Sequence, residues 1–340
     1  MTRRSAVLAA GSLLLAVLGV LGAVVPVPYV AQIPGPVYDT LGEQDGRPLI
    51  TLEGADRDDA SGQLDITTIW VSSGGVSLVR AVKGWFDDET IVLPEESVYP
   101  PDRTVEETRK ANREAFLTSE EAATSAALSH LGYPVKVVVR GLAEDSPSAE
   151  VLQEGDAVEA VDGRRTPDLD ALTDVLTAIP PDSEVEVEYV RQGRAGTATV
   201  TTAEAADREG SLLGISVREM PSAPFDVDIQ IDKVGGPSAG LMLTLGIIEL
   251  AGGEDLTGGA SVAGTGTIDE QGTVGRIGGI QLKAISVEES GADLFLVPAD
   301  NCADLLAAGR PAVPTARVET LDDALQALAD LRAGRTPAPC

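Results

Sequence analysis

The chain is 340 residues long, 43% hydrophobic and only 3% aromatic. That length allows two domains, whose cores must be built from Val, Leu, Ile and Ala. The formal net charge of −29 is spread along the chain; it excludes nucleic acid as a partner, since a polyanion would be repelled, and it reads as a solvated acidic surface.

At the N-terminus, Arg3 and Arg4 precede the uncharged run Ala6–Val25. As a helix this run is about 30 Å long, the thickness of a bilayer core. The arginines should hold residues 1–5 in the cytoplasm. Residues 6–25 then form a single-pass signal anchor in the cell membrane, with the rest of the chain extracytoplasmic. A cleaved signal peptide is the alternative. The run is longer than an ordinary signal's apolar core, and the VPVPYVAQ that follows has no A-x-A site, which favours the anchor. The two cysteines, Cys302 and Cys340, are able to pair outside the cell, but their spacing alone leaves pairing open.

Residues 26–60, beginning VPVPYVAQIPGPVYDTLG, read as a Pro-rich extended stalk leading into a first strand. Within residues 61–132, Gln63–Val71 alternates and is rich in β-branched residues; it and Gly75–Val82 read as strands. Pro100–Asp102 breaks the chain. A helical pattern starts at Thr104, and Ser119 followed by Glu120 and Glu121 reads as the cap of an amphipathic helix that stops at Gly132.

Residues 133–205 read as a self-contained β-rich domain. Its pieces are a strand Val135–Arg140, a Ser-Pro turn, a strand Ala157–Val161 left by an Asp162-Gly163 turn, a helix Leu169–Thr177, and strands Glu184–Val190 and Thr197–Thr202. This order, with EGDAVEAVDG in its middle, resembles a PDZ domain. The resemblance implies that a peptide C-terminus adds as a strand and rests its carboxylate on main-chain amides. Leu131, Gly132 and Tyr133 are the expected loop, although Pro134 beside them lacks an amide hydrogen. A spacer that never grips a peptide is the alternative.

From Ile215 the character changes, and residues 206–335 read as an α/β or α+β layered segment. A strand Val227–Ile231 precedes GGPSAG; a strand Ala260–Thr265, a hairpin over Ile268–Ile277, a helix Gln281–Ser290, a buried strand Leu294–Val297 and a helix-strand-helix tail follow. In GGPSAG, small residues let a carbonyl approach the backbone, and a helix starting at Ser238 points free amides towards it. A nucleophilic serine also needs a base. The one histidine, His130, would have to serve in a triad. The alternative is a lysine whose burial lowers its pKa. Lys233 lies five residues before Ser238, and Lys283 is set among Ile280, Leu282, Ala284 and Ile285, a drier setting for an amine. A Ser at a helix cap beside an ordinary surface lysine is the bland reading. One His and two scattered Cys give no metal spacing, so neither metal nor cofactor is expected.

GGPSAG, GTGTI, the IGGIQLK run and FLVPADN occur in the order and approximate spacing of the proteolytic domain of Lon protease, which the segment from about Val227 onward resembles. The resemblance implies that Ser238 is the nucleophile, Lys283 the base and Thr265 a partner of the lysine amine, with Gly235, Gly236 and Ser238 supplying oxyanion amides. The usual Glu after Thr-Gly is here Thr267. Upstream, GQLDITTIWV and TSEEAATSAALSHLG resemble earlier parts of the same domain, so the PDZ-like unit is expected to interrupt it. No G-x-x-x-x-G-K-[ST] loop is present. The layout resembles the membrane-anchored PDZ/Lon-type proteases of Gram-positive bacteria. The expected fold class is α+β: a Lon-type proteolytic domain with a PDZ-like insert, preceded by one transmembrane helix. The implied activity is ATP-independent serine endopeptidase action on exposed or unfolded segments of extracytoplasmic or membrane proteins, with protein or peptide substrates as partners and self-association left open. An inert PDZ-type scaffold and a Ser/Lys hydrolase of small amides or esters are the rival classes.

Overall fold

The structure, a computed structural model, describes residues 3–58, 60–205, 209–232, 234–309 and 312–340. In chain order its main elements begin with α1 (Arg3–Val24), β1 (Tyr29–Asp39), β2 (Ile50–Glu53), β3 (Gln63–Val71), α2 (Leu78–Gly84), β4 (Ile91–Pro94) and α3 (Val105–His130). They continue with β5 (Val135–Leu142), β6 (Ala157–Val161), α4 (Leu169–Thr177), β7 (Glu184–Arg191), β8 (Arg194–Thr201), β9 (Ile215–Pro221) and β10 (Asp226–Ile229). The last are α5 (Gly240–Ala251), β11 (Ser261–Gly264), β12 (Thr267–Ile268), β13 (Val274–Gly275), α6 (Ile280–Ser290), β14 (Leu294–Pro298), α7 (Cys302–Ala307), β15 (Thr315–Val318) and α8 (Leu321–Arg332).

The chain divides into two units, Met1–Ala127 with Val227–Cys340, and Leu128–Asp226. The first unit is therefore discontinuous. Its sheet has the order β15-β14-β11-β3-β1-β4, with β15, β14, β11 and β3 parallel and β1 antiparallel to both neighbours. All five residues of β14, LFLVP, are buried, as expected of a parallel strand covered on both faces. Helix α5 is buried from Gly240 to Leu250; it is apolar on nearly every face because none meets water, and its two polar residues are hydrogen-bonded, Thr244 to Gly240 O and Glu249 to Leu256 N–H. Cys302 and Cys340 are joined by a disulfide, which ties down a tail whose Ala338 carbonyl accepts from Arg317 N–H at 2.8 Å.

Three readings of the first unit are corrected. Residues 26–60 contain the expected first strand but no stalk ahead of it: β1 begins at Tyr29 and is an interior strand, paired with β3 on one side and β4 on the other. Gly75–Val82 is not a strand; Ser77 Oγ accepts from Arg80 N–H and starts α2. Ser119 is not a cap but sits inside α3, which begins instead where Thr104 and Glu107 exchange side-chain and main-chain hydrogen bonds.

In the second unit the antiparallel sheet runs β8-β7-β6-β5-β9 over a core of Val137, Val139, Val158, Val161, Leu172, Leu176, Val185 and Val187. Strand β9 pairs with β5 along its whole length, so this unit extends past residue 205 to Asp226. Sequence alone hid this because β9 follows a break after β8 and pairs with the unit's first strand.

Candidate active site

Three backbone segments of the first unit meet at one amine. Gly279 has φ +70° and accepts from Lys283 N–H at 3.1 Å; this left-handed start, which favours glycine, launches α6 with Lys283 on its inner face. Lys283 is 2% exposed. Its Nζ lies 2.9 Å from Ser238 Oγ, 2.9 Å from Thr265 Oγ1 and 3.0 Å from the Thr67 carbonyl oxygen. Burial alone lowers its pKa from the ordinary 10.5 to about 7.

The hydrogens at this cluster can be assigned. Thr265 Oγ1 is 3.1 Å from the Ser238 carbonyl and must donate to it, so it accepts from Nζ. The Thr67 carbonyl can only accept. A neutral amine has two hydrogens, and these two acceptors use both. Its lone pair then faces the Ser238 hydroxyl, which donates to it.

Ser238 is half-buried in the turn before α5. One stripe of α3 positions that turn: Asn112 O accepts from Gly236 N–H at 2.8 Å, Ser119 Oγ donates to Pro237 O at 3.1 Å, and Phe116 between them is fully buried. Gly236 takes φ +82°. Because its amide is engaged by Asn112, Gly236 does not serve as an oxyanion donor. Gly235, Ser238 and Ala239 line a cleft of about 510 Å³ with Thr67, Trp70 and Lys283. The positive end of α5 opens there.

The structure brings Ser238, Thr265 and Lys283 together. It places His130 exposed at the end of α3, and Lys233 lies outside the described residues. Sequence reading missed Thr67, Asn112 and Ser119. Thr67 and Asn112 act here through main-chain oxygens, which carry no residue-type signal; Ser119 was read as a helix cap, and its bond to Pro237 O had no signal in the sequence.

In the second unit, the loop Leu131-Gly132-Tyr133 does not form a carboxylate cradle. Gly132 N–H donates to Ser129 O and Tyr133 N–H to Leu128 O, both at 3.0 Å. This closes the end of α3 in the manner of a Schellman motif and uses two of the three amides. The open sheet edge beside a helix is elsewhere: β9, preceded by Gly214 at φ +69°, forms one edge of the sheet with α4 against it. Leu169 N–H donates to Glu219 Oε1 at 2.8 Å across the two.

Residues 105–202 match the family model of the PDZ domain, starting within α3, and residues 230–328 match that of the Lon protease (S16) C-terminal proteolytic domain. No match was found among curated proteins. Solved structures similar to part of the chain include the PDZ domain of an SdrC-like protein from Listeria monocytogenes, 21% identical over 24% of this chain and 86% of that one, with a TM-score of 0.23. The PDZ domain of an SdrC-like protein from Listeria innocua has the same identity, 24% and 92% coverage and a TM-score of 0.23. A solution structure from Geobacillus thermodenitrificans is 20% identical over 24% and 94%, with a TM-score of 0.22. The chain combines a PDZ domain with a proteolytic domain of the Lon (S16) type, behind one N-terminal helix long and apolar enough to cross a membrane.

Proposed function

We propose that this protein is an ATP-independent, membrane-tethered serine endopeptidase working through Ser238 and Lys283. The observation that carries the reading is the dry amine of Lys283, held at 2.9 Å from Ser238 Oγ by acceptors that occupy its two hydrogens. Neutral Lys283 takes the Ser238 proton as Oγ bonds to the substrate carbonyl carbon. The main-chain amides of Gly235 and Ser238, two residues that line the cleft ahead of α5, receive the oxyanion. The protonated Lys283 then gives its proton to the leaving amine, and an acyl-enzyme remains. Water loses a proton to the Lys283 amine and attacks the acyl carbon, and Lys283 returns that proton to Ser238 Oγ as the acid leaves.

A peptidase that acts without ATP-driven unfolding takes unfolded or exposed segments as its substrates. The Cys302–Cys340 disulfide supports an extracytoplasmic setting, where such bonds persist. The PDZ domain binds peptide along β9, by strand addition between that edge and α4. Titrating an unstructured peptide with a free apolar C-terminus should shift amide resonances of Ile215–Pro221 and Leu169–Thr177; shifts confined to Leu131–Tyr133 would reject that edge.

The activity is tested with casein as an unfolded substrate. Ser238→Ala and Lys283→Met should each abolish cleavage while the protein stays folded. Unchanged cleavage by Ser238→Ala would reject the mechanism, and no cleavage by the parent protein itself, with peptide binding retained, would favour a scaffold.

A further inference from the structure

We propose that α2 and the turn after it, together with Trp70, form a docking face seated in the headgroup layer of the bilayer that α1 crosses. The proposal rests on the membrane-tethered reading above and adds where the catalytic cleft lies relative to the lipid.

The first observation is hydrogen bonding at the exit of α1. Val25 N–H still donates to Leu21 O, and two residues on Val27 N–H donates to Val76 O at 2.8 Å. Val76 N–H donates back to Tyr29 O at 2.9 Å, and Pro26 bridges Ser77, the cap of α2. The start of α2 is thus fixed to the residues that leave the apolar helix. It also overlaps that helix in depth: a side-chain carbon at Gly22 would lie 3.7 Å from Val79 Cγ2 and 3.9 Å from Leu78 Cδ2. If Gly22 is inside the bilayer, Leu78 and Val79 are at its boundary.

The second observation is what this face exposes. The chain has two tryptophans and four phenylalanines. Both tryptophans are on this face, Trp70 51% and Trp85 54% exposed, and beside them Phe86 is 87% exposed. Leu78, Val79 and Val82 are exposed as well. A protein whose core is short of aromatics has placed these rings outside it. Trp85 stacks edge-on against Tyr29, at 5.7 Å between centroids, so the ring is held at the exit of α1. Amphipathic aromatics at headgroup level are the usual flank of a membrane span. Arg80 and Lys83 are exposed on α2, while Asp87 is engaged in holding the turn through Glu89 N–H and Thr90 Oγ1; Asp88 and Glu89 keep the face of mixed sign, which suits headgroups carrying both charges.

The face is coupled to the active site through one strand. Trp70 also lines the catalytic cleft, and β3 carries Thr67, whose carbonyl holds Lys283. Three residues of extended strand cover about 10 Å. The cleft therefore opens close above the lipid, and its substrates are segments emerging from the same membrane.

The test uses the full chain in lipid vesicles, with Trp70→Phe and Trp85→Phe variants that leave one tryptophan each. Vesicle lipids carry a nitroxide near the fifth acyl carbon, and iodide is the aqueous quencher. Seating within the outer 5–10 Å of the leaflet predicts that Trp85 emission falls by about half or more with the labelled lipid and is shielded from iodide, and that Phe86→Asp reverses both. A chain that floats with the vesicles but whose tryptophan is quenched only by iodide would overturn the docking face and leave the tether standing. Unquenched emission with crosslinks between copies through position 86 would overturn it in favour of self-association. A chain that fails to float would remove the tether, and the docking face with it.

Discussion

The main-chain oxygen of Thr67 and the Nζ of Lys283, 216 positions apart in the chain, lie 3.0 Å from each other. That contact and the one to Thr265 Oγ1 leave the amine's lone pair for Ser238. A buried ammonium here would be well hydrogen-bonded too, so hydrogen bonding alone does not set its charge. Burial does, and it lowers the pKa to about 7.

Thr265 is expected to act on the amine rather than on the fold alone. Thr265→Val removes the acceptor for one Nζ hydrogen and leaves a buried donor unpaired, at a cost of about 1–3 kcal/mol. The expected result is a fall in kcat/KM of roughly 5–150-fold, with Thr265→Ser restoring most of it. A valine variant with wild-type kcat/KM and an unmoved pH profile would contradict this role.

Lys283 should also mark the pH dependence of stability. Its folded pKa, about 7, is below the ordinary 10.5, so between those values the unfolded chain binds a proton that the folded chain does not. Stability then rises with pH across that window and is penalised, by roughly 4–5 kcal/mol, below it. Lys283→Met removes the titration. Denaturant unfolding should show the variant more stable than the parent near pH 6, with the gap closing towards pH 10. A gap independent of pH would show that the amine stays charged in the folded protein.

Ser119 is expected to matter to rate more than its distance in sequence suggests. Its hydroxyl holds the Pro237 carbonyl next to Ser238. Ser119→Ala loses one hydrogen bond, about 1 kcal/mol, and should lower kcat/KM about fivefold with KM nearly unchanged. A variant altered in melting temperature only would reduce Ser119 to a packing residue.

The Cys302–Cys340 bond closes a loop with a sequence separation of 38. Loop-closure entropy for that length corresponds to about 4 kcal/mol. Reduction should therefore lower the melting temperature measurably while casein cleavage at room temperature persists. Equal melting temperatures with and without reductant would show the cysteines unpaired.

The elements that were legible in the sequence carry their own local signal. The strand Gln63–Val71 and the helix Leu169–Thr177 end where their alternation or amphipathic pattern ends. Ser238 was singled out by the small residues of GGPSAG and Lys283 by its apolar neighbours, while Thr265 came only from the resemblance to the Lon proteolytic domain. What was missed depends on long-range pairing. Tyr29–Asp39 contains three prolines or glycines and looks irregular, yet partners on both sides make it a strand. The edge strand Ile215–Pro221 belongs to the second unit because Val135–Leu142 accepts it. The amides of Gly132 and Tyr133 look free in sequence, and the end of the preceding helix takes them.

Titration of Lys283 itself decides whether its amine can serve as the base. The chain has only five lysines, so the side-chain ε-carbon resonances of isotopically labelled lysine can be assigned by single Lys→Arg substitutions and followed with pH. One lysine should titrate at about 7 and be lost in Lys283→Arg, with the acid limb of kcat/KM at the same pH. If the Lys283 signal titrates at about 10.4, as a solvated lysine does, the amine is charged at neutral pH and cannot be the base for Ser238.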